Sequence, residues 1–181
     1  MQADSTAQAG GEDASRQRFL VDLSTLDLTQ RLVTREQLEL TNPHRGVMAL
    51  LDAVVWESHD RRQTVGVKHN RHDEFWCAGH FPGKPVLPGV LMIEAGAQLA
   101  CYNYNSRNHQ EKRVVLFTRI EEASFRSMVE PGYDLYLICK EVKMSKRRFI
   151  TDVQGLVNGK LAFDARVCGM QLASNEPVIV D

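Results

Sequence analysis

The sequence has no long hydrophobic run, no closely spaced cysteine pair and no strong excess of either charge. No segment approaches the roughly 20 apolar residues that cross a bilayer, and the N-terminus lacks the basic and apolar regions of a secretory signal. We therefore expect a cytoplasmic protein without membrane insertion. The formal net charge of −1 argues against a nucleic-acid partner, because nucleic-acid-binding domains are usually basic.

Metal sites and disulfides are also not indicated. The four cysteines are widely spaced: Cys77, Cys101, Cys139 and Cys168. This spacing predicts reduced thiols rather than a zinc site or a disulfide framework. His69 and His72 lie near two acidic residues, but their spacing matches no metal-binding motif, so we predict a solvated loop there.

The most informative segment is residues 79–98, which read GHFPGKPVLPGVLMIEAGAQ. Three prolines stiffen its first half: Pro82, Pro85 and Pro88. Proline fixes its own φ and pushes the preceding residue towards extended conformations, so a helix can start only near Pro88. The residues that follow are apolar on nearly every side of such a helix, which predicts a helix enclosed by the rest of the fold. Glu94 is the charged residue in this apolar stretch, and His80 lies fourteen positions before it in the stiff loop.

A carboxylate on an apolar helix loses hydration, so Glu94 needs a partner or a function. One interpretation is structural, with Glu94 paired to Gln98 one turn later or placed in a subunit contact. The other is a proton donor that faces His80 across a substrate slot. His80 also has a structural alternative, a loop histidine bonded to the backbone.

Gly89 and Val90 stand where the buried helix begins. The first N–H groups of a helix lack internal acceptors and lie at the positive end of its dipole. Glycine allows close approach, so the Gly89 N–H could polarise a carbonyl oxygen. The alternative is an ordinary helix that starts at a proline.

At these residues the chain resembles the 3-hydroxyacyl-[acyl-carrier-protein] dehydratases of the FabZ type. The likeness extends over roughly residues 40 to 170 through further segments: Pro43–Arg45, Met48–Asp52, Phe125–Arg126, Val129, Pro131–Gly132 and Asn158–Lys160. The resemblance implies an α+β hot-dog fold, a curved antiparallel sheet wrapped around a long central helix. It also implies a homodimer, or a trimer of dimers, with active sites at the subunit interface.

The resemblance further implies the catalytic roles. His80 would take the proton next to the thioester carbonyl, and Glu94 of the other subunit would protonate the departing 3-hydroxyl. The N–H groups at Gly89 and Val90 would bind the thioester oxygen. The substrate would be an acyl chain on the phosphopantetheine of an acyl carrier protein, with neither a metal nor another cofactor.

Several neighbouring residues receive weaker assignments. Phe81, Trp76 and Gln98 are candidates for lining or gating an acyl tunnel, although packing is the commoner role of buried aromatics. His44 is expected to organise the start of the first core strand. A basic turn at residues 146–148 could attract an acidic carrier protein or could simply be a solvated hairpin tip.

The chain is expected to contain one hot-dog domain over residues 19–172, with an N-terminal extension before a core of about 40–170. Residues 1–18 are predicted to be a mobile tail, and 173–181 a C-terminal tail. In the extension, Thr34 and Gln37 form a capping-box pattern. The extension could cover either a neighbouring subunit or an edge strand. Strands are predicted at 48–57, 63–69, 114–120, 135–144, 148–157 and 161–171, with a loop at 105–113.

Three function classes remain open at this point. The leading one is a hydro-lyase that dehydrates 3-hydroxyacyl thioesters to trans-2-enoyl thioesters in the biosynthesis of fatty acids or related lipids. The second is a hot-dog acyl thioesterase that uses Glu94. The third is a non-catalytic acyl-binding or regulatory module, against which the presence of both His80 and Glu94 argues.

Overall fold

The computed structural model describes residues 19–107 and 114–172. Its helices and strands follow in chain order: β1 (Val33–Thr34), α1 (Arg35–Thr41), β2 (Ala53–Glu57), β3 (Gln63–His69), α2 (Gly89–Arg107), β4 (Val115–Phe125), β5 (Asp134–Met144), β6 (Arg148–Val157) and β7 (Lys160–Gln171). The predicted tails at 1–18 and 173–181 lie outside the described residues. Within the described part of the chain, no helix combines the length and the hydropathy needed to span a bilayer.

The strands form one antiparallel sheet in the order β1-β2-β3-β5-β6-β7-β4. Its tightest connection is the turn between β6 and β7, where Asn158 and Gly159 both have positive φ, 50° and 71°. This is the conformation that an Asn-Gly hairpin turn requires, so the predicted hairpin is confirmed. The sheet begins at the short β1 and ends at β4, which pairs with β7.

Helix α2 lies against one face of this sheet and is enclosed by it, as the apolar sequence predicts. Residues from Met92 to Asn105 are buried almost without interruption, and Leu99 and Tyr104 have no exposed surface. Small residues allow the helix and sheet to approach closely. A Cβ at Gly96 would lie 3.3 Å from both Phe163 Cζ and Val153 Cβ, and one at Gly155 would lie 2.3 Å from Phe163 Cε1. A sheet wrapped around one helix is the predicted α+β architecture.

The N-terminal extension covers the opposite face of the sheet. Its apolar side chains, Leu20, Val21, Leu23, Leu26 and Leu28, pack on a second cluster formed by the outward-facing side chains of β2, β3, β5, β6 and β7. Hydrogen bonds fix the segment at both backbone groups of Leu20: its N–H donates to Gln154 Oε1 at 2.8 Å, and its carbonyl accepts from Gln63 Nε2 at 3.2 Å. The prediction that the extension covers an edge strand is partly right, because β1 pairs with β2. Most of the extension, however, lies on the face of its own sheet.

The capping box at α1 is confirmed. The Gln37 N–H donates to Thr34 Oγ1, and the Thr34 N–H donates to Gln37 Oε1 at 2.9 Å. Strands β3 and β6 have the predicted bounds, and β5 and β7 each begin one residue earlier than predicted. Strand β4 continues to Phe125, five residues beyond its predicted end.

Two further predicted boundaries are wrong. The strand expected from Met48 begins only at Ala53, because Gly46 has a φ of 56° and opens a short 3-10 turn. The loop expected from Asn105 begins later, because α2 continues to Arg107. The Asn105 side chain that suggested a loop is bonded inside the fold, where its Nδ2 donates to the Thr41 carbonyl at 3.2 Å. In the preceding turn, Asn103 Nδ2 likewise donates to Thr64 Oγ1 at 2.7 Å. Residues 108–113 lie outside the described residues.

Candidate active site

His80 lies in the long connection between β3 and α2, which is anchored at its start by a buried ion pair. Lys68 is only 2% exposed, and its Nζ lies 2.6 Å from Glu74 Oε1. Around His80 the chain folds back on itself: the His80 N–H donates to the Trp76 carbonyl at 2.9 Å, and the Val86 N–H donates to the His80 carbonyl at 2.8 Å. These bonds hold the loop that the prolines stiffen.

The same loop fixes the protonation pattern of the His80 ring. Nδ1 lies 2.8 Å from the Val86 carbonyl oxygen. Because a carbonyl can only accept, Nδ1 must carry the hydrogen, and the neutral ring then has its lone pair on Nε2. The structural alternative for His80, a bond to the backbone, is therefore present. It does not compete with a catalytic role, since it leaves Nε2 as a proton acceptor.

Gly89 and Val90 are the first two residues of α2, as predicted. The Pro88 carbonyl accepts from the N–H groups of Leu91 and Met92, at 2.9 and 3.1 Å. The N–H groups of Gly89 and Val90 thus precede the first intrahelical bonds. The Phe125 ring lies over Gly89, so a Cβ at this position would be 2.7 Å from Phe125 Cε1. Glycine is needed for this close approach as well as for access to its N–H.

Glu94 lies one turn into α2, with about a quarter of its side chain exposed. Its Oε1 accepts a hydrogen bond from Gln98 Nε2 at 2.9 Å, which is the pairing that the structural interpretation proposed. Gln98 is itself buried and fixed by the chain entering β2: its Nε2 also donates to the Met48 carbonyl at 2.8 Å, and its Oε1 accepts from the Leu50 N–H at 3.0 Å. Gln98 therefore holds the carboxylate in place.

His44, expected only to organise the start of the first core strand, also lies beside Glu94, which was not predicted. Its Nε2 lies 3.6 Å from Glu94 Oε1, in the segment between α1 and β2. Burial lowers the pKa of His44; the neighbouring Glu94 carboxylate acts in the opposite direction, and Arg45 adds to the lowering. The only signal in the sequence was the Pro43–Arg45 segment of the family likeness, because nothing local links residues fifty positions apart.

A cavity of about 120 Å³ opens beside these groups. Its polar side chains are His44, Glu94 and Gln98, and its remaining lining comes from apolar or small residues of α2, β4, β6 and β7: Ala97, Cys101, Val115, Leu116, Phe117, Phe149, Val167, Cys168 and Gly169. Burial raises the pKa of Cys101 to about 12, so this thiol is part of a neutral wall. An apolar slot with an acidic group at one side suits an acyl chain that carries a reactive polar end.

The other predicted tunnel residues have different surroundings. Trp76 is buried and packs in the main core. Phe81 is 57% exposed and stacks on the His80 ring, with 4.1 Å between the ring centroids. Neither lines the cavity beside Glu94. Across residues 19–107 and 114–172, no three histidine, cysteine, aspartate or glutamate side chains lie together as a metal site would require.

His80 is also absent from the lining of that cavity. Within one chain the Glu94 carboxyl group thus lies at the slot, whereas the His80 ring does not line it. Nε2 of His80 has no hydrogen-bond partner among residues 19–107 and 114–172. The edge strand β4, which forms one wall of the cavity, carries large exposed apolar side chains: Leu116, Phe117, Ile120 and Phe125.

The fold and the cavity define a hot-dog protein with an acidic group in an apolar slot. A family model described as the FabA-like domain matches residues 42–166. The chain belongs to this family. It is 35% identical over 147 residues to a 3-hydroxyacyl-[acyl-carrier-protein] dehydratase FabZ of Ralstonia nicotianae, an alignment that covers 80% of this chain and 88% of the relative. It is 37% identical over 135 residues to the FabZ of Clostridium acetobutylicum, covering 75% and 95% of the two chains.

Solved structures agree on the fold. A dehydratase heterocomplex from Xenorhabdus doucetiae superposes with a TM-score of 0.68 at 14% identity, over 81% of this chain and 95% of the other. A hypothetical thioesterase from Streptococcus pneumoniae, solved with coenzyme A, superposes with a TM-score of 0.51 at 8% identity, over 66% and 84% of the two chains. At such identities these structures support the hot-dog architecture and not a particular reaction.

Proposed function

We propose that this protein is a hydro-lyase that dehydrates 3-hydroxyacyl-[acyl-carrier-protein] thioesters to trans-2-enoyl thioesters in fatty-acid biosynthesis. The observation that carries the proposal is the pairing of two features in one segment. His80 has its Nε2 lone pair unengaged, and Glu94 is held at the side of an apolar slot. The similarity to FabZ dehydratases extends over most of the chain and supports the same reaction.

The elimination follows from these groups. Nε2 of His80 accepts the proton from the carbon next to the thioester carbonyl, and the electron pair of that C–H bond forms the new double bond. The C–O bond at carbon 3 breaks, and Glu94 gives its proton to the departing hydroxyl, which leaves as water. The N–H groups at Gly89 and Val90 donate hydrogen bonds to the thioester oxygen and so stabilise the negative charge that develops on it. The enzyme ends with a protonated His80 and an ionised Glu94, and exchange with solvent resets both.

The acting pair comes from two protomers of a homodimer in this proposal. In the described sheet, strand β4 pairs on one side with β7, and its other edge would expose unpaired backbone groups together with large apolar side chains. A second copy of the chain, paired along β4, would cover this edge and continue the sheet. It would also bring the partner's His80 loop to the cavity that holds Glu94.

An acyl carrier protein is the proposed partner. These carriers hold the acyl chain on phosphopantetheine, and an acidic carrier is attracted by basic side chains. Lys84 is exposed in the His80 loop, and Lys146, Arg147 and Arg148 are exposed at the turn between β5 and β6. Lys84 is the better candidate for the docking contact, since it lies four residues from the proposed base.

A combined assay separates the three function classes. The purified protein is incubated with 3-hydroxyacyl thioesters, while the absorbance of the conjugated enoyl product and the release of free thiol are followed together. Enoyl product without thiol supports the lyase. Thiol release indicates a thioesterase, and neither signal indicates a binding module.

Two substitutions test the residue roles. His80→Ala and Glu94→Gln should each lower turnover by roughly two to four powers of ten, the range for loss of a positioned acid or base. His59→Ala is the matched control, because His59 is exposed at the turn between β2 and β3. Near-normal turnover in either of the first two variants would contradict the assigned role.

A further inference from the structure

Hydrogen bonds made by the neighbouring residues of its own segment hold His44 beside Glu94. The guanidinium of Arg45 donates to three backbone carbonyls, those of Asn42, His44 and Glu39, at 2.8, 2.7 and 2.7 Å. On the preceding side, Asn42 Nδ2 donates to the Gln98 carbonyl at 2.9 Å and ties the segment to α2. The backbone of His44 is therefore held against the helix by contacts that do not involve Glu94.

The surroundings of the His44 ring select one protonation state. Its Nδ1 is buried and has no hydrogen-bond partner among the described residues. An N–H at that position would be a buried donor without an acceptor, which is costly, whereas a lone pair there costs less. The favoured form is thus the neutral ring with its hydrogen on Nε2, directed at Glu94. The lowering of the His44 pKa by burial agrees with a neutral ring.

Two N–H donors then point towards the same oxygen of Glu94. Gln98 Nε2 donates to Glu94 Oε1 at 2.9 Å, and His44 Nε2 approaches that oxygen at 3.6 Å. The second distance is longer than a formed hydrogen bond, but contacts of catalytic groups are often long without substrate and tighten when it binds. An oxygen that receives donors is a poor place for the carboxyl hydrogen, so the hydrogen of the neutral acid must be on Oε2.

We propose that His44 is a positioning residue that, together with Gln98, binds Oε1 of Glu94 and so keeps the transferable proton on Oε2, facing the substrate. This inference rests on the proposed function for its kinetic consequence. Without His44, the carboxyl group can rotate and present the wrong oxygen to the departing hydroxyl. The loss should therefore appear in kcat, with KM nearly unchanged, because apolar residues make up most of the slot proposed for the acyl chain.

Three substitutions at one position test the geometry. His44→Phe keeps an aromatic ring and removes the donor, and kcat should fall about ten- to thirty-fold. His44→Gln places an amide nitrogen near the position of Nε2 and should stay within about threefold of the parent. His44→Asn reaches only the position of Nδ1 and should be as slow as His44→Phe. His59→Phe, at an exposed histidine, is the control for an added phenyl ring.

The kinetic outcomes separate the inference from the proposed function. Equal kcat values for the parent, His44→Phe and His44→Asn would overturn the inference while leaving the dehydratase intact. A higher KM with an unchanged kcat would also overturn the inference, because it would show that His44 acts in substrate binding. If the parent yields no enoyl product, the proposed function is refuted instead. The measurement described next still tests the contact between His44 and Glu94.

The second measurement uses no substrate. In protein labelled with ¹⁵N at the histidine rings, the His44 signals are assigned by their loss in His44→Gln. At neutral pH they should report a neutral ring protonated at Nε2, and the Nε2 signal should shift in Glu94→Gln. A ring protonated at Nδ1, a charged ring, or no response to Glu94→Gln would each overturn the proposal.

Discussion

The proposed sharing of one site between two protomers can be tested by subunit complementation. One chain carries His80→Ala and a first affinity tag, and the other carries Glu94→Gln and a second tag. The two chains are expressed together, and successive purification on both tags isolates the heterodimer. In that heterodimer, one site combines the unchanged His80 of one chain with the unchanged Glu94 of the other, and the second site lacks both groups.

The expected magnitude follows from this geometry. The cavity of one chain is lined by Glu94 and not by His80, so in the proposed arrangement each site receives its His80 loop from the other chain. One intact site of two should give about half of the parent's kcat per dimer. If each protomer instead used its own pair, both sites would carry one defect, and activity would stay two to four powers of ten below the parent. The two outcomes thus differ by more than about tenfold.

The enoyl absorbance assay measures the difference directly. The parent carrying both tags gives the reference activity, and the Glu94→Gln homodimer carrying both tags gives the background. A heterodimer no more active than this background, yet intact by size and thermal unfolding, would refute the shared site and require the two groups to meet within one chain.

Three further predictions concern the scaffold and its protonation. Lys68→Met removes the near partner of the partly buried Glu74 and leaves only the longer contact with Arg71 at 3.9 Å, so the free energy of unfolding in urea should fall by about 1 to 3 kcal/mol. Adding Glu74→Gln should recover much of the loss, and a single variant as stable as the parent would contradict the pairing. Gly155→Ala forces a methyl group into a buried phenyl ring and should cost about 1 to 3 kcal/mol in the same assay, more than a typical surface substitution. His44 has a pKa below its ordinary value in the folded state, so the unfolded chain binds the extra proton; stability should fall as pH drops below about 6.5 and level off below the folded pKa. His44→Gln should lose that part of the pH dependence, and unchanged profiles would mean that His44 titrates alike in both states.

The sequence predicts the local features of this protein well, because they depend on neighbours along the chain. The prolines before Pro88 define where α2 starts, and Asn158-Gly159 defines the last hairpin. The capping box at Thr34 likewise needs only residues within one turn. In each case a few dihedral angles or a single short contact decide the structure.

Features that depend on distant residues were harder to predict. The sequence analysis treated a Glu94–Gln98 pair and a catalytic Glu94 as alternatives, yet Oε1 is bound to Gln98 while the side chain still lines the cavity. The contact with His44 depends on the path of the chain between α1 and β2 across α2. No periodicity in the sequence reports such a crossing. The end of α2 was predicted wrongly at Asn105 for the same reason, because its hydrogen-bond partner Thr41 lies far away along the chain.

The placement of residues 19–34 affects how this protein should be prepared for experiments. The family match begins at residue 42, and a protein shortened to that bound would lose the leucines that shield the outer surface of the sheet. Side chains such as Val55, Val65 and Ile138 would then face water as one adjoining apolar area. Such a truncated protein would tend to precipitate or associate through the wrong surface, and its poor behaviour would say nothing about the proposed catalytic groups on the other side.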